Sequence, residues 1–323
     1  MKAVNSFFDL LIKIRHALYD NGFFKSQQVE TPVISIGSIT IGGAGKTPLT
    51  IAIAELLKNL GLKVAILSRG YKRNKSGIHQ IQNSKNISEM AQLYGDEPTL
   101  IFKSINDVPV VVAKKRFDGA KFIEDNIRPD VILLDDGFQH RKLLHTADIL
   151  IFKKDFEGCD EKYFPFGRLR DSLSRLKKSD LIFYQKGTNE RVIKFLKKQS
   201  QTIEYSIEYK LTGTKNNKLK IEKPITAFCG IAKPKAFFHT LKHKQIICDN
   251  EITFQDHKKY TNSTMKKLLS TNANTFITTE KDLIKLSNSF VYKKNIVKLS
   301  MKIKFANVIE MKKILGELIY KTT

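Results

Sequence analysis

Short apolar runs rich in β-branched residues alternate with helix-length amphipathic stretches through the first two-thirds of this chain. The runs are VISI (33–36), KVAILS (63–68), VPVVVA (108–113), DVILLDD (130–136), ADILIF (147–152) and DLIFYQ (180–185). Helical spacing of apolar positions covers 49–60, closed by Gly61, and 115–126. Strands that are apolar at every position must be covered on both faces, so the alternation predicts a parallel sheet with helices on either side. Over 201–224 the pattern changes. IEYSIEYKL and KLKIEKP flank a polar Thr-Gly-Thr-Lys-Asn-Asn stretch, which reads as a hairpin or linker. Alternation resumes with ITAFCGI (225–231), TFITTE (275–280) and NIVKLSM (295–301). The predicted organisation is an N-terminal helix (1–25), an α/β core (26–200), the hairpin or linker (201–224) and a smaller α/β domain (225–323).

The N-terminal stretch 3–19 carries Phe7, Phe8, Leu11, Ile14 and Leu18 at helical spacing, widened by Leu10 and Ile12 and flanked by Lys2, Lys13, Arg15 and Lys25. Such a helix either lies on a membrane surface or docks on the protein's own core. Asn5, Ser6 and Asp9 interrupt its apolar part, and no small-residue cleavage site follows, so it does not read as a signal peptide. No apolar run reaches the roughly 18 residues of a membrane span.

Composition narrows the classes. Over 323 residues, 41% apolar and 27% charged, the chain is globular, long enough for one large or two ordinary domains. Cys159, Cys229 and Cys248 are few, odd in number and widely spaced, which argues against a disulfide framework or a zinc site. The balance of 56 Lys+Arg against 32 Asp+Glu gives a net charge of +24, which suits an anionic partner or reflects solvated lysines spread along the chain.

The chemistry gathers after VISI. Thr40-Ile41-Gly42-Gly43-Ala44-Gly45-Lys46-Thr47 links an apolar strand to a helix-forming run, the setting of a phosphate-binding loop. Backbone N–H groups close on phosphate oxygens, Lys46 reaches the β/γ-phosphates, the Thr47 hydroxyl suits Mg²⁺, and the helix N-terminus adds a favourable dipole. The loop is a variant, because its usual first glycine falls on Thr40.

Further candidates stand at strand ends. Asp135 and Asp136 close DVILLDD, where a Walker-B carboxylate organises Mg²⁺ beside a phosphate loop. Phe138-Gln139-His140-Arg141 follows and is placed to line a second-substrate cleft. Gly95-Asp96-Glu97-Pro98 reads as a short acidic loop in which Pro98 keeps Glu97 extended and a carboxylate can accept a hydroxyl proton. Asp256-His257 suits a proton-accepting pair, and Gly167-Arg168-Leu169-Arg170-Asp171 offers arginines to neutralise phosphoryl charge. Thr278-Thr279-Glu280-Lys281-Asp282 has the form of a helix cap. No guanine-reading Asn-Lys-x-Asp or Thr-Lys-x-Asp string occurs, which favours ATP.

Together these strings resemble the tetraacyldisaccharide 4′-kinase family. The resemblance rests on Gly-Gly-x-Gly-Lys-Thr-Pro (42–48), Ser68-Arg69-Gly70-Tyr71, Gly95-Asp96-Glu97-Pro98, Leu134 to Arg141 and Gly167 to Asp171. It continues through Gly230-Ile231-Ala232-Lys233-Pro234, Phe254-Gln255-Asp256-His257 and Thr279 to Asp282. It implies a two-domain kinase that moves the γ-phosphate of ATP, with Mg²⁺, to the 4′-hydroxyl of a tetraacyl-disaccharide 1-phosphate, the lipid A precursor. Its place is peripheral, on the cytoplasmic face of the bacterial inner membrane, with the N-terminal helix and the positive charge facing an anionic surface. No nucleic acid and no obligate protein partner are implied.

By position, the resemblance makes Asp96 the acceptor of the sugar proton, with His257 and Asp256 beside it. Lys46 and the 42–47 loop hold phosphates, Thr47, Asp135 and Asp136 organise Mg²⁺, and Arg170 faces the phosphates. Asp171 joins the metal set in a position where the family usually has Glu, and Ser38 replaces a common Asn. Arg69, Gln139, His140 and Arg141 line the acceptor cleft. Two other classes compete. A P-loop ATPase or GTPase of the metallochaperone or partitioning type lacks support from any Cys/His cluster. A nucleic-acid module lacks a basic stripe with interleaved aromatics.

Overall fold

The computed structural model describes residues 2–84, 86–158, 162–214, 218–256 and 258–321, with backbone alone for 2–6. In chain order the elements begin with α1 (Lys2–Asp20), β1 (Val33–Gly37), α2 (Lys46–Asn59), β2 (Val64–Ser68), β3 (His79–Gln80), α3 (Ile87–Tyr94), α4 (Asp96–Ser104), β4 (Val110–Val112) and α5 (Arg116–Asn126). There follow β5 (Val131–Asp135), β6 (Ala147–Phe152), β7 (Leu181–Gln185), α6 (Glu190–Lys197), β8 (Gln201–Gly213), β9 (Ile225–Cys229), α7 (Pro234–His243), β10 (Asn250–Thr253) and α8 (Asn262–Leu269). The last are β11 (Thr275–Thr279), α9 (Glu280–Leu283), α10 (Asn288–Lys293), β12 (Asn295–Phe305) and α11 (Val308–Ile319).

Among the described residues, twelve strands form one sheet in the order β10-β9-β11-β12-β8-β7-β6-β1-β5-β2-β4-β3. From β4 to β8 the neighbours run parallel, and those from β4 to β7 have the near-continuous apolar burial that a doubly covered sheet requires. A second parallel set, β12-β11-β9-β10, joins it through an antiparallel seam in which β12 pairs with β8 from Val297↔Gly213 to Phe305↔Tyr205. Of the hairpin or linker expected over 201–224, the described residues form no hairpin. The first half of this stretch is one thirteen-residue strand that pairs with β7 on one side and, on the other, with β12 from almost a hundred residues later. Period-two reading of IEYSIEYKL found the strand and assigned it the nearest partner, where tertiary pairing supplied a distant one.

Burial follows the same division with a few crossings, Ile303 of β12 in the first core among them. Ile34, Ile36, Leu49, Ile53, Leu133 and Ile149 belong to one core, and Ile225, Ala227, Phe237 and Ile277 to another. The last helix, α11, buries Met311, Ile314, Leu315, Leu318 and Ile319 in the first core, although it closes the segment assigned to the second domain. Each such side chain contributes roughly 1.5–3 kcal/mol by leaving water.

α1 docks one face on the protein's own core and leaves the other exposed. Phe8 and Ile12 pack on the core and His16 is buried, while Phe7, Leu10, Leu11 and Ile14 are about half exposed on the opposite side. Among the described residues no helix is long and apolar enough to cross a membrane.

Candidate active site

The carboxyl ends of the central strands β1, β5 and β6 bring the sequence candidates together, where ligands collect in open α/β sheets. β1 ends at Gly37, whose missing side chain is needed. A Cβ there would lie 2.6 Å from Phe138 Cβ, so only glycine lets the segment after β5 cross this closely. The phosphate loop then runs through Gly42, Gly43 and Gly45 at φ of 78°, 54° and 93°, and α2 starts at Lys46. Three left-handed residues in four explain why the loop tolerates Thr40 in place of the usual first glycine. Thr40 needs no such conformation, because it is stitched to Leu169 in an antiparallel bridge. Ile41 N donates to Arg168 O at 2.7 Å and Arg170 N to Ile39 O at 2.8 Å, which aligns the 168–170 segment with the loop. Ser38 Oγ accepts from Thr40 N at 3.2 Å, which gives the loop's entry its local hydrogen bond.

Lys46 Nζ lies 3.7 Å from Asp136 Oδ1. Asp136 adopts φ 52°, a turn that aspartate tolerates better than most residues, and turns its carboxylate toward Lys46 and Arg170. Arg170 grips it with Nη2 and with Nη1 at 3.2 Å. Burial works against the Asp136 anion, but Lys46 and Arg170 outweigh it and hold its pKa below the usual carboxylate value.

Asp135 is the opposite case. It is 2% exposed, accepting from Thr50 Oγ1 and Ser68 Oγ at 3.2 Å each. Burial, reinforced by the Glu97 and Asp136 charges, pushes its pKa well up. Two adjacent carboxylates with opposite shifts are a mark of functional sites. Thr47 follows Lys46 in the first turn of α2, half-buried.

The acidic segment is not a loop. Asp96 and Glu97 open α4, and Pro98 sits in its first turn, where a missing N–H costs nothing. Glu97 is therefore helical, in place of the extended conformation expected of a residue before proline. The turn before it packs on the Ser-Arg-Gly-Tyr segment, since a Cβ at Gly70 would meet Tyr94 O at 2.8 Å and one at Gly95 would meet Tyr71 O at 3.1 Å. Two of the sequence strings are thus one interlocked turn. Lys281 Nζ lies 3.9 Å from Glu97 Oε1 and 3.5 Å from Asp256 Oδ1, which draws Asp256 to this corner from the far parallel set. His257 lies outside the described residues. Thr279 caps α9 as expected, its hydroxyl accepting from Asp282 N.

Several expected residues are engaged elsewhere. Asp171 is 1% exposed, and its carboxylate is held by three protein donors, His16 Nε2 at 2.7 Å, Ser172 N at 2.8 Å and Gln139 Nε2 at 3.2 Å. Arg141 turns to α1, donating to His16 O and pairing with Asp20 at 2.6 Å, away from an acceptor cleft. Gln139 points inward, its Nε2 also donating to Ser38 O at 3.1 Å. Burial, with the Arg116 charge beside it, pushes His140 down to about 4. Arg69 lines a basic cavity of about 310 Å³ with Lys72, Arg73, Lys75 and Lys114.

Two cations escaped sequence reasoning. Lys153 follows β6, and a Cβ placed on Gly43 would lie 3.9 Å from its Nζ. Burial, together with Lys233 and Lys46, depresses its pKa. The rule that ligands gather at strand ends would have found it. Arg116 is 4% exposed, pushed down to about 10 by burial, and within electrostatic range of Asp135 and Asp136. It gave no signal in sequence, since a basic residue opening a helix is commonplace.

A family model described as Tetraacyldisaccharide-1-P 4′-kinase matches residues 1–320. Curated relatives called tetraacyldisaccharide 4′-kinase include one from Aquifex aeolicus, 32% identical over 321 residues, covering 97% of this chain and 96% of that protein. One from Flavobacterium johnsoniae is 33% identical and covers 87% and 85%, and one from Desulfotalea psychrophila is 31% identical and covers 88% and 87%. The crystal structure of LpxK from Aquifex aeolicus in complex with ATP superposes with a TM-score of 0.78 at 30% identity, covering 98% of both chains. The variant phosphate loop, its paired aspartates and the interlocked acidic turn therefore sit in a chain that belongs to the tetraacyldisaccharide-1-P 4′-kinase family.

Proposed function

We propose that this chain transfers the γ-phosphate of ATP to the 4′-hydroxyl of a tetraacyl-disaccharide 1-phosphate, a step of lipid A biosynthesis. The observation that carries the reading is the convergence of Lys46, Asp136 and Arg170 at the phosphate loop, with Asp96 opening α4 beside the same strand ends. Phosphoryl transfer needs positioning and charge neutralisation more than covalent chemistry, and this arrangement provides both.

In this reading Lys46, Arg170 and the loop N–H groups hold the β- and γ-phosphates, with Lys153 adding charge from β6. Asp96 accepts the proton of the acceptor hydroxyl, and Asp256 and His257 assist from the far parallel set. The shared Lys281 supports this placement of Asp256. Arg69 and His140 face the acceptor.

Among the described residues no group of three or more His, Cys, Asp or Glu could cage a metal. That suits Mg²⁺, which is commonly held by one or two carboxylates plus substrate phosphates. The fit rests on Asp135, a buried carboxylate whose ionisation is opposed by burial and by two neighbouring acids. Thr47, Asp135 and Asp136 would hold the ion, and it would neutralise charge shared between phosphate oxygens.

The half-exposed apolar face of α1 supports a peripheral seat on the cytoplasmic face of an inner membrane, where the net charge of +24 meets anionic lipid. The test is transfer of radiolabelled γ-phosphate from ATP to purified tetraacyl-disaccharide 1-phosphate in detergent micelles, beside Lys46→Ala. Labelled lipid that vanishes in the variant is the expected result. ATP hydrolysis without labelled lipid overturns the reading.

A further inference from the structure

An unbroken line of hydrogen bonds and one ion pair joins the N-terminal helix to the phosphate loop. It starts at His16, 6% exposed on the inner side of α1. Arg141 approaches His16 Nδ1 at 3.4 Å and donates to its carbonyl at 2.9 Å. A guanidinium can only donate, so Nδ1 is the accepting nitrogen and Nε2–H faces Asp171 Oδ1 at 2.7 Å. Asp171 Oδ2 accepts from Gln139 Nε2, and that nitrogen also donates to Ser38 O. Ser38 O takes two further bonds, from Arg170 Nε at 3.2 Å and Nη2 at 3.0 Å. Arg170 grips Asp136, whose Oδ1 stands 3.7 Å from Lys46 Nζ.

The line has no slack at its middle. Gln139 Nε2 and two Arg170 nitrogens converge on one carbonyl, so a shift of Gln139 changes where the Arg170 guanidinium can lie. Asp171 is almost completely shielded from solvent, so without His16 its carboxylate keeps two hydrogen-bond donors, Ser172 N and Gln139, beside the Arg175 charge. Arg15, next to His16, holds the Gln139 carbonyl at 2.9 Å. α1 thus grasps Gln139 from its main chain and, through Asp171, from its side chain.

We propose that His16 is a positioning residue for phosphoryl transfer: α1, seated on the core, fixes Asp171 and Gln139, and these set Arg170 against Asp136 beside Lys46. The helix that faces the membrane then adjusts the nucleotide end as well as anchoring the protein. The inference rests on the reading of Lys46 and Asp136 as the phosphate end.

The test compares full-length His16→Ala, His16→Gln, Tyr163→Phe and Lys46→Ala in detergent micelles, each with a thermal melt. Tyr163 donates to Asp9 of α1, so Tyr163→Phe loosens the same helix while every hydrogen bond of the line stays in place. His16→Ala should lower kcat roughly tenfold, as small misplacements of catalytic groups do, with the acceptor KM little changed. His16→Gln, whose amide nitrogen reaches the Nε2 position, should recover most of the loss, and Tyr163→Phe should keep kcat. If alanine unfolds the chain, Asp171→Asn carries the same expected loss. Unchanged kcat in His16→Ala, or an equal loss in Tyr163→Phe without rescue by glutamine, overturns the proposal. Full turnover in Lys46→Ala would instead strike the phosphate-loop reading and, with it, the premise of this one.

Discussion

Lys281, on α9 of the far parallel set, stands 3.9 Å from Glu97, the second residue of α4. It lies 3.5 Å from Asp256 as well, so one ammonium draws two acids from distant parts of the chain to the corner where Asp96 stands. Both partners are partly exposed, so Coulomb attraction alone is worth little for stability. Its value is in registration. Lys281→Met and Glu97→Gln should each lower kcat roughly fivefold, and the double variant should lose little beyond either alone, as coupled neighbours do. Multiplying losses in the double variant would show that the two residues act separately.

Asp96→Ala should remove most of kcat, on the order of 10²–10⁴-fold, as loss of a general base does. ATP affinity, measured by calorimetry, should stay close to that of the parent chain, because the phosphate loop is untouched. Turnover within a few-fold of the parent would remove Asp96 from the base role.

Arg170→Lys keeps the charge and loses the fork. Arg170 serves Asp136 and the Ser38 carbonyl at once, through three nitrogens. An ammonium cannot satisfy both sides, so the variant should resemble Arg170→Ala in kcat. Near-parental kcat in the lysine variant would mean that charge alone suffices.

The outer side of α1 can be altered without disturbing its seat. Replacing Phe7, Leu10, Leu11 and Ile14, each about half exposed, with glutamine or serine should leave the melting temperature almost unchanged and abolish co-sedimentation with anionic vesicles. Truncation of residues 1–25 is the cruder test, since it also strips Asp171 of His16 and Arg141 of Asp20. Undiminished vesicle binding by the four-residue variant would assign the membrane contact to another surface.

His140 should make stability sensitive to acid. Its folded pKa, about 4, lies below the ordinary value near 6.5. Between these values the unfolded chain takes up a proton that the folded chain refuses, so stability falls as pH drops through that window. Thermal melts from pH 7 to 4.5 should show a shallower decline in His140→Gln than in the parent. Identical slopes would show that the folded imidazole is free to protonate.

Local pattern carried most of the strands and the helices α1, α2 and α5, because continuous apolar runs such as Val131 to Leu134 have few other uses. It carried Lys46, Asp135 and Asp136 because the phosphate loop and the paired acids are contiguous in sequence. It misread Glu97, since a proline in a first helical turn looks locally like a breaker. It could not see that Asp171, Gln139 and Arg141 face a helix more than a hundred residues earlier in the chain. Three polar side chains after a site strand look the same whether they meet a substrate or an N-terminal helix. Lys153 and Arg116 were missed because a single basic residue carries no pattern.

The return of α11 to the first core has a consequence for biosynthesis. The ribosome releases β1 to β8 early, yet their core lacks Met311, Ile314, Leu315, Leu318 and Ile319 until the last stretch of chain emerges. The strands from β9 to β12 are thus added beyond β8 while the apolar face awaiting α11 is still uncovered. A released fragment that ends at residue 305 should engage chaperones far more than the 323-residue chain. Cutting the protein near residue 200 would yield a first half that lacks its closing helix.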